Sequence, residues 1–558
     1  MALPEPEAPS EDEEAKPSAR TEDDKTVPPA PVEEEKAEKK AKNEARKRAP
    51  KAKKEPHEVR CDRIFLAVLI GLMLGYVAVF LTLVLMRYAN YRGSEFDTAI
   101  FNQTIWLLAR GKGAFCTIRG MNLFGDHMAP ILFLLTPLYW VGGNAPALLT
   151  FQTLVLAVGA VPVYYLAKDK IDSRWIALAL AAAYLTYPAL QYVNLADFHP
   201  EAIGLVCLLF AFLAIARKRF VWFYVLCGLA AICKEDMVLA VLVLGIVVYF
   251  LYDKRAGKWV TGVSFVYFLG AVFFLIPHFA PAGYQYSSRL ANFGKTPGEA
   301  LKNFFIHPRH TFEVIATREN LAYIIDLVLP VAFICFFAPI YLLPALPAFF
   351  INIISAFQYQ HQVVYQYTAG IIPFVFIALI FGVHKIKKWM AGGFRAKKVL
   401  AGVAVVVILC SLASGFLFGP SPLAGTFRAA AYTGDKHIDA MNNGIALIPP
   451  TASVSAQTFL LAKLSSREKI YQFPEPFRWL TPVDFYRGLG ADGQKIMFPN
   501  TYRMPDLGQS IAPQYVALDR GGELGMPLNV FDGLVVRLRR DAGYTLIYRR
   551  DGVMILKR

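Results

Sequence analysis

No charged residue interrupts the chain from Ile64 to Met86. A run of that length matches the hydrocarbon core of a bilayer, which a helix of about 20 residues crosses. In lipid every backbone N–H and C=O must be satisfied within the segment, so a lone apolar run of this kind folds as a helix. Comparable stretches follow at about 146–166, 174–192, 201–216, 220–233, 237–252, 259–280, 321–337, 340–356, 367–384 and 399–419, eleven spans with the first. The chain is 55% hydrophobic with a mean hydropathy of +0.39, more apolar than a soluble protein of its size. These features predict a polytopic α-helical membrane protein. The stretch 129–142 is short and holds Pro137, so it reads as a re-entrant or juxtamembrane segment.

Residues 1–60 are rich in Pro, Ala, Glu and Lys, too polar to build a core, and read as a disordered tail. The tail turns basic just before the first span ("EKKAKNEARKRAPKAKK"), which predicts a cytoplasmic N-terminus. Alternation from that start puts "AKDKIDSR", "RKR", "DKRAGK" and "HKIKKWMAGGFRAKK" inside, and every one is basic. The net charge of +15 is thereby assigned to topology, and nucleic acid is not an expected partner. Seven cysteines, six in or beside apolar segments, imply no disulfide framework.

The same alternation sends the notable polar motifs outside. They are Glu95 and Asp97 in "GSEFD", Asp126 and His127 in "GDHMAP", Asp197, His199 and Glu201 in "ADFHPEA", and Lys234, Glu235 and Asp236 in "CKEDM". Charges at span ends are costly without a partner or a function. Asp126, His127, Asp197 and His199 are of the right types for a hard or borderline divalent ion and are the candidate metal ligands, although spacing alone does not establish a site. Plainer readings stand beside these: Glu201 serving a helix dipole, Lys234 to Asp236 as a self-compensating cluster, and Asp97 as a helix N-cap. Phe101, Ile105 and Leu108 recur at helical spacing, which predicts a helix lying in the membrane interface. A carboxylate such as Asp97 at that boundary is expected to have a raised pKa and to suit general-base work.

"EFDTAIFNQTIW", "GDHMAPILFLLTPLYW", "YPALQYVNLADFHPEA", "CKEDMVLA", "YQYTAGIIPFVF" and "SVSAQTFLLAKLSSREKIYQFP" follow one another in an order that resembles the prokaryotic membrane-protein family described as domain of unknown function 2079. The likeness runs over about 61–558. One departure is "AKLS" where the family pattern leads us to expect "PHLS". More distantly, the layout is similar to that of GT-C glycosyltransferases, with a cytoplasmic N-terminus, an acidic first outer loop and a soluble outer domain.

That second resemblance implies a membrane glycosyltransferase using a polyprenyl-phosphate sugar, with membrane lipid as surroundings and a glycan, lipid or protein as acceptor. Asp97 matches the catalytic acid in position and is the expected general base, with Glu95 beside it. Lys234, Glu235, Asp236, Arg289, Asp126 and Gln103 are the expected substrate-binding residues, Lys234 and Arg289 as phosphate partners. Arg119 reads as a solvated charge. Competing classes are a lipid or solute transporter or flippase, and a non-catalytic envelope-assembly protein. Residues 421–558 change character. "ASVSAQ", "KIYQF" and "QYVALD" read as strands and "YTLIYRRDGVMILKR" as a hairpin turning at Asp551-Gly552, predicting an extracytoplasmic α/β domain after a membrane domain over 61–420.

Overall fold

The computed structural model describes residues 56–93, 95–280, 285–390, 393–477, 512–522 and 526–558. The tail expected over 1–60 lies, up to residue 55, outside them. Residues 62–558 form one compact unit.

Among the described residues four helices are long and apolar enough to cross a membrane: Arg60–Ala89, Ala145–Ile171, Lys254–Phe279 and Arg395–Phe418. The pair Arg174–Thr186 and Pro188–Leu195, bent by 44°, makes a fifth if counted as one span. The eleven spans read from hydropathy are corrected to this number. Helices Glu201–Ala216, Phe220–Ala231 and Glu235–Leu251 have 16, 12 and 17 residues, roughly 24, 18 and 26 Å at 1.5 Å per residue and so short of a bilayer core. Glu201–Ala216 is buried along nearly its whole length by protein, and hydropathy does not tell an apolar helix inside protein from one inside lipid. The segments expected at 321–337 and 340–356 are broken by proline-bearing 3₁₀ turns around Pro330 and Pro344.

Local chemistry sets these elements. In the first helix Leu69, Tyr76, Phe80, Leu83 and Val84 form the buried stripe, while Ile64, Val68, Ile70, Leu74 and Val79 face outward, the pattern of a helix with one protein face and one lipid face. The bend at residue 187 arises because Pro188 pushes Tyr187 into an extended conformation. Gly159 sits where a Cβ would lie 2.0 Å from the Tyr184 hydroxyl, so only glycine lets Ala145–Ile171 and Arg174–Thr186 meet there.

The long helices share two ends of unlike chemistry. At one end Asp62 accepts from Lys168 (2.7 Å) and Arg174 (2.6 Å), Arg217 pairs with Asp169 (2.6 Å), and Lys387 donates to the Ile171 carbonyl (2.6 Å). At the other end Arg87 donates to the Leu195 carbonyl (3.2 Å), Tyr192 to that of Phe418 (2.9 Å) and Lys463 to that of Ala89 (2.8 Å). All four acidic motifs lie at this second end.

Here the C-terminal α/β portion joins the helices. A two-stranded ribbon, β1 (Phe115–Cys116) with β2 (Met121–Asn122), precedes it in the chain. The main sheet has strands β3 (Val454–Ala456), β4 (Ile470–Gln472), β5 (Tyr515–Asp519), β6 (Thr545–Arg550) and β7 (Val553–Lys557) in the order β4-β3-β5-β7-β6. The β3 strand runs parallel to β4 and β5, while β7 is antiparallel to β5 and β6. The expected hairpin forms, and Asp551 and Gly552 both take positive φ (48° and 84°), the two left-handed residues of a type I′ turn.

His437, opening the helix Lys436–Ile445, ties that helix to the sheet. Its Nε2 lies 2.7 Å from Asp519 and its Nδ1 2.9 Å from Asp551. Burial alone would lower its pKa, but the two carboxylates outweigh it and raise it. With the folded value above the unfolded one, this tie is fully present below about pH 6.5 and is lost as pH rises through the raised value. His437→Gln is therefore expected to cost about 1 kcal/mol at pH 6. Thermal melts of variant and parent across pH should converge at alkaline pH, and a pH-independent gap would remove the ionic account.

Candidate functional site

The helix Phe96–Leu108 starts without a cap of its own: Glu95 holds the N-cap position in a left-handed conformation, and its side chain caps nothing. The cap comes from Asp197, whose Oδ1 accepts from the Glu95 backbone and Oδ2 from the Asp97 backbone, both at 3.1 Å. Asp97 is thus not the N-cap. Thr98 accepts from the Phe198 backbone (2.9 Å), and the His199 backbone donates to Gln152 (2.8 Å). The "GSEFD" and "ADFHPEA" motifs are stitched together across this junction.

His199 completes the stitching through its ring. Its Nδ1 lies 2.8 Å from the Asp197 carbonyl, and its Nε2 lies 3.1 Å from Asp97 Oδ2. A carbonyl only accepts, so Nδ1 carries a proton, and an ionised Asp97 requires one on Nε2 as well. Burial pushes the Asp97 carboxyl up, but the hydrogen bond and charge of His199, with His127 and Arg119 behind it, bring it down to about 2. Burial pulls His199 down, yet its bond to Asp97 and the nearby acids leave it raised. The pair is an imidazolium with a carboxylate. The raised pKa expected for Asp97 is therefore corrected, since desolvation is outweighed by a cation in contact. The Asp97 side chain is 40% exposed, and its second oxygen, Oδ1, is free of hydrogen bonds among the described residues.

Glu95 is the opposite case. It is 4% exposed, and among the described residues neither carboxyl oxygen has a hydrogen-bond partner. Burial, then the charge of Asp197, raises its pKa well above the carboxylate range, against weaker pulls from Lys463 and Arg87. The two acids of "GSEFD" therefore differ: one is buried with its pKa raised, the other open with its pKa lowered.

A second chain of contacts starts at Arg119, which reads as solvated in the sequence but is buried. Its Nε and Nη2 hold both Asp126 oxygens at 2.7 and 3.0 Å. Tyr286 donates to Asp126 (2.7 Å), lies 3.0 Å from His127 Nε2, and stacks on that ring with centroids 4.9 Å apart. His127 Nδ1 reaches Glu235 at 3.0 Å, and Glu235 also accepts from the Met128 backbone at 3.1 Å. Burial raises the Asp126 carboxyl, and Arg119 and His127 together bring it below its ordinary value. Gly125 makes this packing possible, because a Cβ there would meet the Phe279 backbone at 2.6 Å.

Lys234 donates to Glu201 (2.6 Å) and lies 3.5 Å from Asp236. These three line a small cleft with Gln366, Tyr367 and Met237, and Asp236 Oδ1 is buried without a hydrogen-bond partner among the described residues. Arg289 sits against three rings, 4.4 Å from the Tyr286 centroid, 5.2 Å from Phe357 and 5.4 Å from Tyr367. Tyr367 feels the charges of Arg289, Asp97 and Lys234, and His127 acts electrostatically on Asp97, Asp126, Glu201, Glu235 and Asp236. The four motifs thus converge on one region.

The four residues expected as ligands of a divalent ion all have protein partners. Asp126 is spent on Arg119 and Tyr286, His127 on Glu235 and Tyr286, His199 on Asp97, and Asp197 on two backbone amides. Among the described residues no group of three or more His, Cys, Asp or Glu is arranged to hold a metal. Gln103 also takes a different place from the one expected. It is buried, and its amide donates to Thr117 (2.7 Å) and the Glu468 carbonyl (3.0 Å). With Asn102, which donates to Ser465 (2.7 Å), it seats the α/β portion on the helix Phe96–Leu108. That helix is buried along most of its length rather than lying in the membrane interface. Sequence reasoning missed Arg119 and Gln152 as site residues. Tyr286 and Tyr367 lie in two aromatic-rich stretches of the sequence, "YQYSSRLANF" and "QYQHQVVYQY".

Two crystal structures of ArnT from Cupriavidus metallidurans are similar to this chain at 13% identity. The undecaprenyl phosphate-bound form covers 88% of this chain and 97% of its own, with a TM-score of 0.43. The apo form covers 90% and 98%, with a TM-score of 0.47. Likeness of this size carries nothing about chemistry. No curated protein matches the chain. The family model described as "Predicted membrane protein (DUF2079)" matches residues 87–489, a stretch that takes in all four acidic motifs and the helices that join them, and the chain belongs to that family.

Proposed function

We propose that the protein transfers a sugar from a polyprenyl-phosphate donor to a glycan, lipid or protein acceptor on the outer face of the cell membrane. The observation that carries this reading is Asp97: an ionised carboxylate held at Oδ2 by His199, open at Oδ1, in a region where Arg289 and Lys234 flank Tyr367. Asp97 Oδ1 takes the proton of the acceptor hydroxyl as that oxygen attacks the anomeric carbon and the bond to phosphate breaks. A carboxylate this acidic is a weak base. It suits an oxocarbenium-like displacement, in which the hydroxyl gives up its proton late. Arg289 and Lys234 stabilise the charge that gathers on the departing lipid phosphate, and the planar guanidinium of Arg289 fits phosphate oxygens in pairs.

The outer-face assignment draws support from the two unlike helix ends. Lys168, Lys170, Arg174, Arg217, Lys218, Lys254, Arg255, Lys387 and Lys388 all lie at or next to the end opposite the site, and basic residues favour the cytoplasmic side. A transport reading draws less support, because the charges gather at one end rather than along a path through the helices.

The test is turnover in proteoliposomes with a panel of polyprenyl-phosphate sugars. Release of polyprenyl phosphate is expected with at least one donor, and Arg289→Ala should cut kcat/KM for that donor by about 10- to 100-fold, the worth of a charge-assisted contact. If the protein neither turns over nor binds any lipid phosphate in the panel, the reading fails.

A further inference from the structure

After the helix ending at Phe279, three short helices follow one another over 297–328: Pro297–Ile306, Pro308–Ile315 and Arg318–Val328. They are held firmly. Thr296 and Thr317 cap two of them, His310 contacts the Asn292 carbonyl (2.8 Å), Thr311 donates to the Phe304 carbonyl (2.7 Å), and Asn320 donates to the Ile353 carbonyl (3.0 Å). Ala300, Thr311, Asn320, Tyr323 and Leu327 point inward and are buried. Yet Leu301, Phe305, Ile306, Phe312, Leu321 and Ile325 stand exposed, Phe305 at 71% and Phe312 at 70%.

Leu301 with Phe305 and Leu321 with Ile325 each stand four residues apart, so they form stripes on their helices. Large apolar side chains fixed outward on a rigid frame need a cover. The surface continues on both sides in sequence: Phe273, Phe274 and Leu275 of the long apolar helix before the arm are exposed, as are Phe333, Phe336 and Phe337 after it. Charged residues Lys302, Arg309, Glu313 and Arg318 alternate with the stripes, which suits a layer where polar headgroups meet acyl chains and does not suit the hydrocarbon core.

We propose that residues 297–328 are a membrane-surface arm, a set of amphipathic helices lying on the bilayer with their exposed apolar stripes seated among phospholipid acyl chains. The arm neither spans the membrane nor stands free in water, which replaces the span expected from 321. Its occupant is phospholipid because the exposed apolar stripes are neighboured in the chain by the exposed apolar residues of a helix of membrane-spanning length. The arm also follows directly on Arg289 in the chain, whose carbonyl accepts from Ala356 (2.6 Å).

The test uses the full chain in lipid nanodiscs, with its free cysteines replaced and single spin labels at 305, 312 and 321, against controls at Glu299, Glu313 and Glu319. Collision rates with oxygen and with a water-soluble nickel chelate are compared. The apolar positions should show a severalfold higher oxygen-to-nickel ratio than the controls. Equal ratios would mean an arm in water, and low rates with both reagents at all three positions would mean a protein cover; either result overturns the proposal. The unsubstituted protein gives an independent check. A photoactivatable phospholipid should label peptides holding Phe305 and Phe312 and spare the helix Lys436–Ile445, and labelling absent from 297–328 would equally overturn it.

Discussion

Asp97→Asn is expected to lower turnover by about 10²–10⁴, the usual worth of general-base catalysis, with folding and lipid binding nearly intact. The amide keeps the size of the carboxylate, and its oxygen can still accept from His199 Nε2, now at 3.1 Å from Asp97 Oδ2. What it loses is the capacity to take a proton at the open oxygen. A purely structural role predicts otherwise. Asp97 does not cap its helix, because that task belongs to Asp197, so a structural Asp97 would lose little more than one ion pair on conversion to Asn. The pH profile adds a second reading. With Asp97 held at about 2, it is ionised throughout the ordinary assay range, so an acid limb near neutrality in the parent enzyme must belong to another group. Near-parental turnover in Asp97→Asn, measured with an active donor, would return this residue to a structural role.

Sequence was most informative where one segment decides its own fate. The apolar run at 64–86 is a long helix with a lipid-facing side, and Asp551-Gly552 turns a hairpin because both residues tolerate positive φ. It also gathered the acidic motifs, since charge at the end of an apolar helix stands out in any reading. What it did not carry was who meets whom. Asp197 reads as a metal ligand until its partners appear, and these are backbone amides about a hundred positions away. Gln103 reads as a substrate contact on an apolar helix, and its partner is the backbone at Glu468, 365 positions on. Glu95 and Asp97 look alike in sequence, yet burial beside Asp197 raises the pKa of one and contact with His199 lowers that of the other. The excess of expected spans has a different source: helices of 12 to 17 residues are as apolar as longer ones, and one of them, Glu201–Ala216, is wrapped by protein rather than lipid.

Arg119→Ala is expected to destabilise the protein by about 3–5 kcal/mol, the cost of leaving a buried carboxylate without its cation. Read as a solvated loop charge, Arg119 would be worth about 0–1 kcal/mol, so the two accounts are well separated. In the folded protein both members of the pair are buried, both Asp126 oxygens are held, and Tyr286 donates to one of them. Removing the guanidinium leaves Asp126 only the Tyr286 hydroxyl and the more distant charge of His127. The deficit should therefore depend on pH in a definite sense. In the parent, Asp126 titrates below its ordinary value, so its stabilising share is present above the unfolded value of about 3.9 and is lost as pH falls through the folded one. In the variant its pKa moves up, because burial now dominates. Protonation then relieves the stranded charge, and the gap to the parent should narrow as pH falls from 8 towards 5. Arg119→Met with Asp126→Leu should cost less than Arg119→Ala alone, since no charge is stranded. Unfolding in detergent, followed by loss of tertiary signal across that pH range, separates the cases: a gap below 1 kcal/mol, or one that widens at low pH, would mean that Arg119 does not neutralise Asp126.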